Sequence, residues 1–172
     1  MDAYWENKVD LTAALRMAAR LDLHEGVDNH FSVMLSEKPF RFLLNPNRRH
    51  WSAVRASELV EVDETGSPIG DFEAPETTAF VIHSRIHMAC PHAKCIFHTH
   101  MRYATALTML EDGRLEPVVQ SALKFFGQVA YLDDFGGLAL DEEEGDKMAK
   151  ALGDKRILFL ANHGVIIAGP TV

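Results

Sequence analysis

Apolar side chains along the chain change repeatedly between two spacings, and this alternation limits the folds that the chain can adopt. Residues 6–21 repeat apolar positions every three or four residues, which is typical of an amphipathic helix. Residues 31–35 and 40–44 are short apolar runs that predict the two strands of a hairpin. No internal repeat or long linker divides the sequence, so we expect a single mixed domain over residues 1–172.

The other predicted elements continue the same alternation. They are helices from Pro75 to the residue before Pro91, from Tyr103 to Leu110 and from Asp141 to Gly153, and strands at 58–62, 94–100, 157–161 and 165–168. Strands joined sometimes by hairpins and sometimes by helices favour an α/β fold with a mainly antiparallel sheet covered by helices. The motifs GxGxxG, GxxxxGKS/T and GxSxG are absent from the sequence, so dinucleotide, phosphate-loop and serine-nucleophile sites lack their local parts.

The charge balance of the chain bears on its partners. Lys and Arg number 17 against 25 Asp and Glu, which gives a formal net charge of -8 and disfavours nucleic acid and anionic membranes. No apolar stretch approaches the roughly 18 residues that span a bilayer, and the N-terminal residues lack the apolar core of a secretory signal. We therefore expect a cytoplasmic protein, with Cys90 and Cys95 as buried thiols in a reducing compartment.

The His-Thr-His sequence at 98–100 is the most specific chemical feature of the chain. Side chains alternate along a strand, so His98 and His100 share one face and can bind one metal ion. Catalytic zinc takes three protein ligands and keeps a fourth position open. His163 is the best candidate for the third ligand, because the Asn-His-Gly turn at 162–164 interrupts two apolar strands. A hydrogen-bonded or surface pair of histidines is the alternative.

Six further histidines carry weaker signals. His83 and His87 lie four residues apart on a predicted helix, without the glutamate of an HExxH motif. We therefore expect them to pack in the core or to orient a metal ligand through a hydrogen bond. The histidines at 24, 30, 50 and 92 have no organised spacing, and no role is predicted for them.

Five sequence blocks occur in the order and spacing of a known family. They are Leu-Leu-Asn-Pro at 43–46, Glu-Leu-Val-Glu-Val-Asp at 58–63, His-Thr-His at 98–100, Tyr-Ala-Thr-Ala-Leu at 103–107 and Asn-His-Gly-Val at 162–165. From Asn29 to its last residue the chain resembles the class II aldolase/adducin family. The resemblance implies a three-layer α-β-α sandwich, usually assembled as a homo-tetramer. It also implies a Zn²⁺, Mn²⁺, Co²⁺ or Fe²⁺ ion held by His98, His100 and His163.

The family's enzymes indicate what chemistry to expect. The resemblance implies a carbon–carbon lyase of aldolase or decarboxylase type, acting on a small hydroxy-carbonyl or carboxylate substrate through a metal-stabilised enediolate. It also implies a set of substrate-binding residues, namely Asn29, Asn45, Asn47, Arg48, Thr77 and Thr78. Residues 45–48 replace the Thr-Pro-Ser-Gly turn of sugar-phosphate members, and Arg48 and Arg49 suggest a carboxylate ligand instead, with a solvated loop as the alternative.

The chain departs from the family's aldolases at a residue that moves protons. Ala79 stands where those enzymes have a glutamate, four residues before the helix histidine that matches His83. Glu76 is our candidate for a catalytic acid/base, with Glu73 as a further one. Decarboxylation is compatible with Ala79, because carbon dioxide leaves without a base. Aldol cleavage, decarboxylation and epimerisation all stay open at this point.

A non-catalytic, adducin-like interaction domain is the alternative function. The loss of the glutamate at Ala79 and the segment 118–132 lean toward that branch of the family, whereas the three retained histidines lean toward the enzymes. Gly-Pro-Thr at 169–171 looks like the start of another helix. Since family members continue with further helices, we expect a domain that is shortened at its C-terminus.

Overall fold

A seven-stranded sheet runs through the molecule, and the computed structural model describes residues 3–137 and 139–172. The strands are β1 (His30–Glu37), β2 (Phe40–Leu44), β3 (Val60–Asp63), β4 (Cys95–Thr99), β5 (Val129–Leu132), β6 (Ile157–Leu160) and β7 (Gly164–Gly169). The helices are α1 (Trp5–Arg20), α2 (Thr77–Ala89), α3 (Arg102–Thr108), α4 (Gln120–Leu123) and α5 (Glu142–Leu152), with short 3-10 turns at Trp51–Ala53 and Ala56–Glu58.

The strand order β3-β2-β1-β4-β7-β6-β5 places β4 at the centre of the sheet. Five of the six pairings between these described strands are antiparallel, and β5 with β6 is the parallel one. The hairpin predicted within residues 31–44 is formed by β1 and β2. The prediction of a mainly antiparallel α/β sheet is therefore confirmed.

Helices cover both faces of the sheet because side chains alternate along its strands. On β6, Leu158 and Leu160 join the apolar cluster made with α2 and α5, whereas Ile157 and Phe159 pack on the opposite side near α3. The helix α1 packs on that second side over β1 and β2. The predicted three-layer α-β-α sandwich is confirmed.

Three local features differ from the sequence prediction. Pro75 lies before α2 rather than in its first turn, because Glu76 is the N-cap residue. The strand predicted at 58–62 begins at Val60, since residues 56–58 form a 3-10 turn. The elements β5 and α4 were not predicted, and β5 is half-buried at all of its positions, so no alternation of buried and exposed residues marks it.

Two simpler expectations concern the thiols and the membrane. Cys90 and Cys95 are buried and free, as expected. Within residues 3–137 and 139–172, every helix is too short or too polar to cross a bilayer.

The register around β4 determines which side chains meet beneath α2. His30 of β1 pairs with His98 of β4, and Ser32 pairs with Ile96. Paired residues share a face of the sheet, so these four side chains face the α2 layer. The intervening Phe31 stacks on Phe97 on the opposite face, with ring centroids 3.8 Å apart.

The start of α5 depends on one capping side chain. Asp141 accepts a hydrogen bond from the backbone N–H of Glu144 at 3.0 Å, as its sequence pattern predicts. We expect Asp141→Ala to lower the free energy of unfolding by about 1 kcal/mol. The control Asp112→Ala removes an exposed turn carboxylate and should change it by less than about 0.5 kcal/mol. Urea unfolding followed by circular dichroism measures both, and equal effects would contradict the capping role.

Candidate metal centre

Three imidazoles converge at one end of the central strands. His98 lies in β4, His100 follows the end of β4, and His163 lies in the turn between β6 and β7. One ring nitrogen from each can be chosen so that all three lie within 4.8 Å of one another. The ring centroids of His163 lie 4.8 Å from those of both His98 and His100. The structure therefore brings together the three residues that the sequence singled out as metal ligands.

A tight turn presents His163 to the other two rings. Asn162 has a φ of 54°, in the left-handed region that a non-glycine residue rarely adopts. Its backbone N–H donates to the carbonyl oxygen of Thr108 at 3.0 Å. At Gly164, a Cβ atom would lie only 2.6 Å from the carbonyl oxygen of Thr99 and 2.8 Å from the His100 ring. Glycine is therefore required for β7 to approach β4 this closely.

Hydrogen bonds fix which nitrogen of each ligand candidate is free. His98 donates from Nδ1 to the carbonyl oxygen of Val165 at 3.2 Å. His100 donates from Nδ1 to the carboxylate of Glu25 at 2.7 Å. A neutral imidazole carries one N–H, so Nε2 of both rings holds an unshared electron pair. A partner on the second nitrogen is also the usual arrangement around metal-bound histidines.

The two free nitrogens face each other. Nε2 of His98 lies 3.2 Å from Nε2 of His100. With both rings neutral, neither nitrogen has a proton to donate, and two electron pairs at this distance repel. A cation bound between them turns this repulsion into attraction. The donor set therefore fits a divalent metal ion with nitrogen ligands such as zinc.

Burial keeps these rings in the form that binds metal. Burial lowers the pKa of His98 well below its usual range, and nearby histidines lower it further. Burial, followed by the neighbouring His100, lowers the pKa of His163 to about 4. Because a ligand imidazole must be unprotonated, both rings are ready to bind a cation at neutral pH.

A cleft of about 840 Å³ opens beside the three histidines. The predicted substrate-binding residues and the first catalytic candidate line it: Asn29, Asn45, Asn47, Arg48, Glu76, Thr77 and Thr78. The further candidate, Glu73, is not among the lining residues. Arg49 does not join them, since it forms an ion pair with Glu58 at 3.3 Å. Ala79 also lines the cleft, so a methyl group lies at the position where the family resemblance implies a glutamate.

Asn29 links the cleft to the metal ligands. Its side-chain oxygen accepts the backbone N–H groups of Glu25 at 2.7 Å and His100 at 3.2 Å. The residue is only 1% exposed, and its Nδ2 has no hydrogen-bond partner among the described residues. An unpaired buried donor is costly unless something binds it. Asn29 can therefore donate a hydrogen bond to a bound molecule.

Glu76 has a structural task that the sequence reading missed. One oxygen, Oε2, accepts hydrogen bonds from the Thr78 hydroxyl at 2.5 Å and from the Ala79 backbone N–H at 2.8 Å, which caps α2. Partial burial raises the pKa of this carboxyl group, but the bonds from Thr78 and Ala79 outweigh burial and the net pKa is lowered. A group held ionised in this way is a poor proton donor, which weakens the acid/base role expected from the sequence.

A buried series of hydrogen bonds extends from the cleft wall into the core. The carbonyl of Ala93 can only accept, so His87 donates to it from Nδ1 at 2.6 Å. The Ser32 hydroxyl then donates to Nε2 of His87 at 2.7 Å and accepts from Nδ1 of His83 at 2.5 Å. Nε2 of His83 accepts from Nδ1 of His30 at 3.0 Å. The direction of every bond follows from the terminal carbonyl.

This series of hydrogen bonds ends at His30, which lies next to the candidate metal ligand His98. The rings of His30 and His98 lie 4.9 Å apart, and His30 also lines the cleft. The sequence reading gave His30 no role and foresaw only that His83 and His87 would pack or orient a neighbour. The signal that could have found it is the alternation of His30 and Ser32 on β1, but that signal is informative only once β1 is known to pair with β4.

Comparison with known proteins agrees with this fold. The family described as "Class II Aldolase and Adducin N-terminal domain" matches residues 9–172, which begins well before Asn29. An adducin-related protein of Schizosaccharomyces pombe is 33% identical, over 96% of this chain and 52% of that protein. The decarboxylase NovR of Streptomyces niveus is 30% identical, over 99% of this chain and 65% of that protein.

A solved structure carries the same likeness. The L-fuculose 1-phosphate aldolase from Glaciozyma antarctica PI12 superposes with a TM-score of 0.85 at 30% identity, over 97% of this chain and 65% of that one. The chain thus spans 52% to 65% of the length of these three proteins.

The Ser32 hydroxyl is expected to be a strong contributor to stability. Ser32→Ala leaves the Nδ1–H of His83 and Nε2 of His87 without a partner in a dry site, so we expect a loss of about 2–3 kcal/mol in the free energy of unfolding. Ser84→Ala is the matched control, because Ser84 is also buried but bonds only to a carbonyl of its own helix at 3.3 Å. It should cost less than about 1 kcal/mol. Similar losses in urea unfolding of the two variants would contradict the bond directions.

The buried rings also predict a pH dependence. Burial lowers the pKa of His30 to about 3 and that of His87 to about 4, whereas both titrate near 6.5 when unfolded. The unfolded state therefore binds more protons below about pH 6.5, and stability is lost as pH falls from there toward about 4. Each ring contributes a slope of about 1.4 kcal/mol per pH unit. Urea unfolding in the presence of a chelator measures this slope, and equal stability at pH 7 and pH 5 would contradict it.

Proposed function

Because the chain belongs to the class II aldolase and adducin family, we propose that it is a divalent-metal-dependent carbon–carbon lyase that acts on a small hydroxy-carbonyl or carboxylate substrate. The observation that carries this proposal is the convergence of three imidazoles: the Nε2 atoms of His98 and His100 face each other at 3.2 Å, and His163 lies beside them. Three buried or half-buried imidazoles that point at one centre need a bound cation or a shared proton, and the fold alone does not require them there.

His98, His100 and His163 would hold the ion, with zinc as the first choice and Mn²⁺, Co²⁺ or Fe²⁺ as the others. When bound, the cation supplies positive charge for the electrons that stay on the substrate when a carbon–carbon bond breaks. Three neutral imidazoles do not reduce that charge. Glu25 and the carbonyl of Val165 hold two of the rings in the orientation that points Nε2 at the ion.

The cleft residues would bind and orient the substrate. The unpaired amide of Asn29 donates to a substrate oxygen, and Arg48 is the cation available for a substrate carboxylate. Ala79 supplies no proton-transferring group, which favours decarboxylation over aldol cleavage, because carbon dioxide leaves without a base. The relative NovR, whose name describes a decarboxylase, is consistent with this preference.

An adducin-like interaction domain is the second candidate. It is favoured by Ala79 and by the likeness to the adducin-related protein of Schizosaccharomyces pombe. In that case the histidine cluster would hold a shared proton instead of a metal. Metal binding therefore separates the two functions.

Association into oligomers is part of the same proposal. Large apolar side chains between residues 103 and 126 lie exposed, among them Tyr103 at 86%, Val118 at 82% and Phe126 at 74%. Exposed apolar surface of this kind is typical of a subunit contact. It supports the assembly that the family resemblance implies.

Metal content tests the proposal directly. We expect the purified chain to hold about one equivalent of divalent metal after dialysis at pH 7.5, and His98→Ala or His163→Ala to lose it, because two imidazoles bind far more weakly than three. His92→Ala is the control, since His92 lies outside the cluster and bonds to the carbonyl of Lys155. Elemental mass spectrometry of the acid-digested protein measures the metal content of the wild type and the three variants. A wild-type chain that holds no metal after zinc is offered would overturn the lyase in favour of the interaction domain.

A further inference from the structure

The N-terminus of α2 opens into the cleft. Glu76, Thr77, Thr78 and Ala79 all line it, and α2 is a 13-residue helix. The free backbone N–H groups and the dipole at such an end ordinarily attract anions, phosphate groups above all. The occupant of this helix end therefore decides what kind of group the cleft accepts there.

In this chain the helix end is already occupied by a carboxylate. Oε2 of Glu76 takes the hydroxyl of Thr78 and the N–H of Ala79, which are the groups that an incoming anion would use. Ser, Thr, Asp and Asn are the usual capping residues, so capping alone does not call for a glutamate. The distinctive consequence of glutamate is a fixed negative charge at this position in the cleft wall.

The second oxygen of Glu76 remains available. Among the described residues, the Thr78 hydroxyl and the Ala79 N–H both donate to Oε2. The backbone N–H of Thr78 adds a favourable contact with the carboxylate. Glu76 is half-buried and lines the cleft, so Oε1 can accept a hydrogen bond from a bound molecule. A hydroxyl group can supply that proton, whereas a phosphate dianion cannot.

The charges around the cleft point the same way. Glu25, Asp28 and Glu76 line it against a single guanidinium, that of Arg48, among the described residues. A divalent cation at the three histidines would bring these charges to balance, without a surplus of positive charge for a dianion. Asn29 adds an unpaired buried donor that a hydroxyl or carbonyl oxygen satisfies.

We propose that Glu76 excludes phosphate and similar dianions from the α2 end of the cleft, so that the substrate is a non-phosphorylated molecule presenting hydroxyl groups there. This inference rests on the proposed function for the assumption that the cleft binds a hydroxy-carbonyl substrate. It makes Glu76 a specificity-determining residue that touches the substrate through Oε1.

Dihydroxyacetone and its phosphate ester test the inference, because they differ only in the phosphate. We expect the wild-type chain, in protein-observed NMR titrations, to bind the ester no more tightly than the free ketone. Glu76→Ser removes the charge and keeps a capping hydroxyl. It should tighten binding of the ester by about tenfold or more, because the repulsion between the Glu76 carboxylate and the phosphate is removed. Binding of the free ketone should weaken by no more than about fivefold, the effect of one lost hydrogen bond.

Two further variants guard against trivial outcomes. Glu76→Gln keeps the size of the side chain and removes its charge, so it should tighten ester binding in the same direction as Glu76→Ser. Asp71→Ser removes an exposed carboxylate from the segment that precedes α2 and should leave both affinities unchanged within about twofold. A wild-type chain that binds the ester tenfold more tightly than the ketone would overturn the inference, as would a Glu76→Ser variant without any gain.

Inorganic phosphate, titrated into the chelator-treated chain, separates this inference from the lyase proposal. Phosphate binding that appears in Glu76→Ser and not in the wild type supports the exclusion role even if the chain proves to hold no metal. A wild-type chain that holds zinc and also binds phosphate at the α2 end overturns the exclusion role and leaves the lyase proposal standing.

Discussion

The antiparallel pairing of β4 with β1 on one side and β7 on the other is the constraint on which the candidate site depends. Pairing with β1 sets His30 beside His98. Pairing with β7 brings the turn at 162–164 against the end of β4, at a separation that only Gly164 permits. The candidate metal ligands and His30, which contacts His98, therefore lie on strands or adjoining turns that backbone hydrogen bonds hold in the middle of the sheet, the least deformable part of the molecule.

The buried polar groups around β4 form two networks that differ in how far the protein itself satisfies their hydrogen bonds. The first network satisfies its donors and acceptors internally, so it can stay in a dry core. It runs from the Ala93 carbonyl through His87, Ser32 and His83 to His30. The cluster of His98, His100 and His163 lacks such closure, because its free nitrogens face one another. The first network is closed within the protein, while the second offers ring nitrogens that a cation could use, as the proposed function requires.

Local pattern is sufficient for most of the elements, though not for β5 and α4, and for part of the site. The spacing of His98 and His100 on a strand, and the glycine after His163, carry their geometry within a few residues, and the structure brings these rings together. The β1–β4 register joins residues more than sixty positions apart, and no short window contains it, so His30 was missed. The capping role of Glu76 lacks a clear local signal, because Ser, Thr, Asp and Asn are the usual N-cap residues and Pro75 is itself typical of a first helical turn.

Ala79, at the position where the family resemblance implies a glutamate, and Glu76 at the start of α2 together determine how charge is distributed along the cleft. A carboxylate at position 79 would lie in the cleft that the three histidines line, and as a ligand it would lower the net charge of a bound ion; alanine leaves that charge undiminished. The negative charge at this end of the cleft is instead that of the Glu76 carboxylate. The hydroxyl of Thr78 and the N–H of Ala79 stabilise one of its oxygens by hydrogen bonds. With the proposed cation bound, the cleft would have a strongly electrophilic end at the histidines and an end at Glu76 that accepts hydrogen bonds. Such polarity suits a small molecule with a carboxylate or carbonyl at one end and hydroxyl groups at the other.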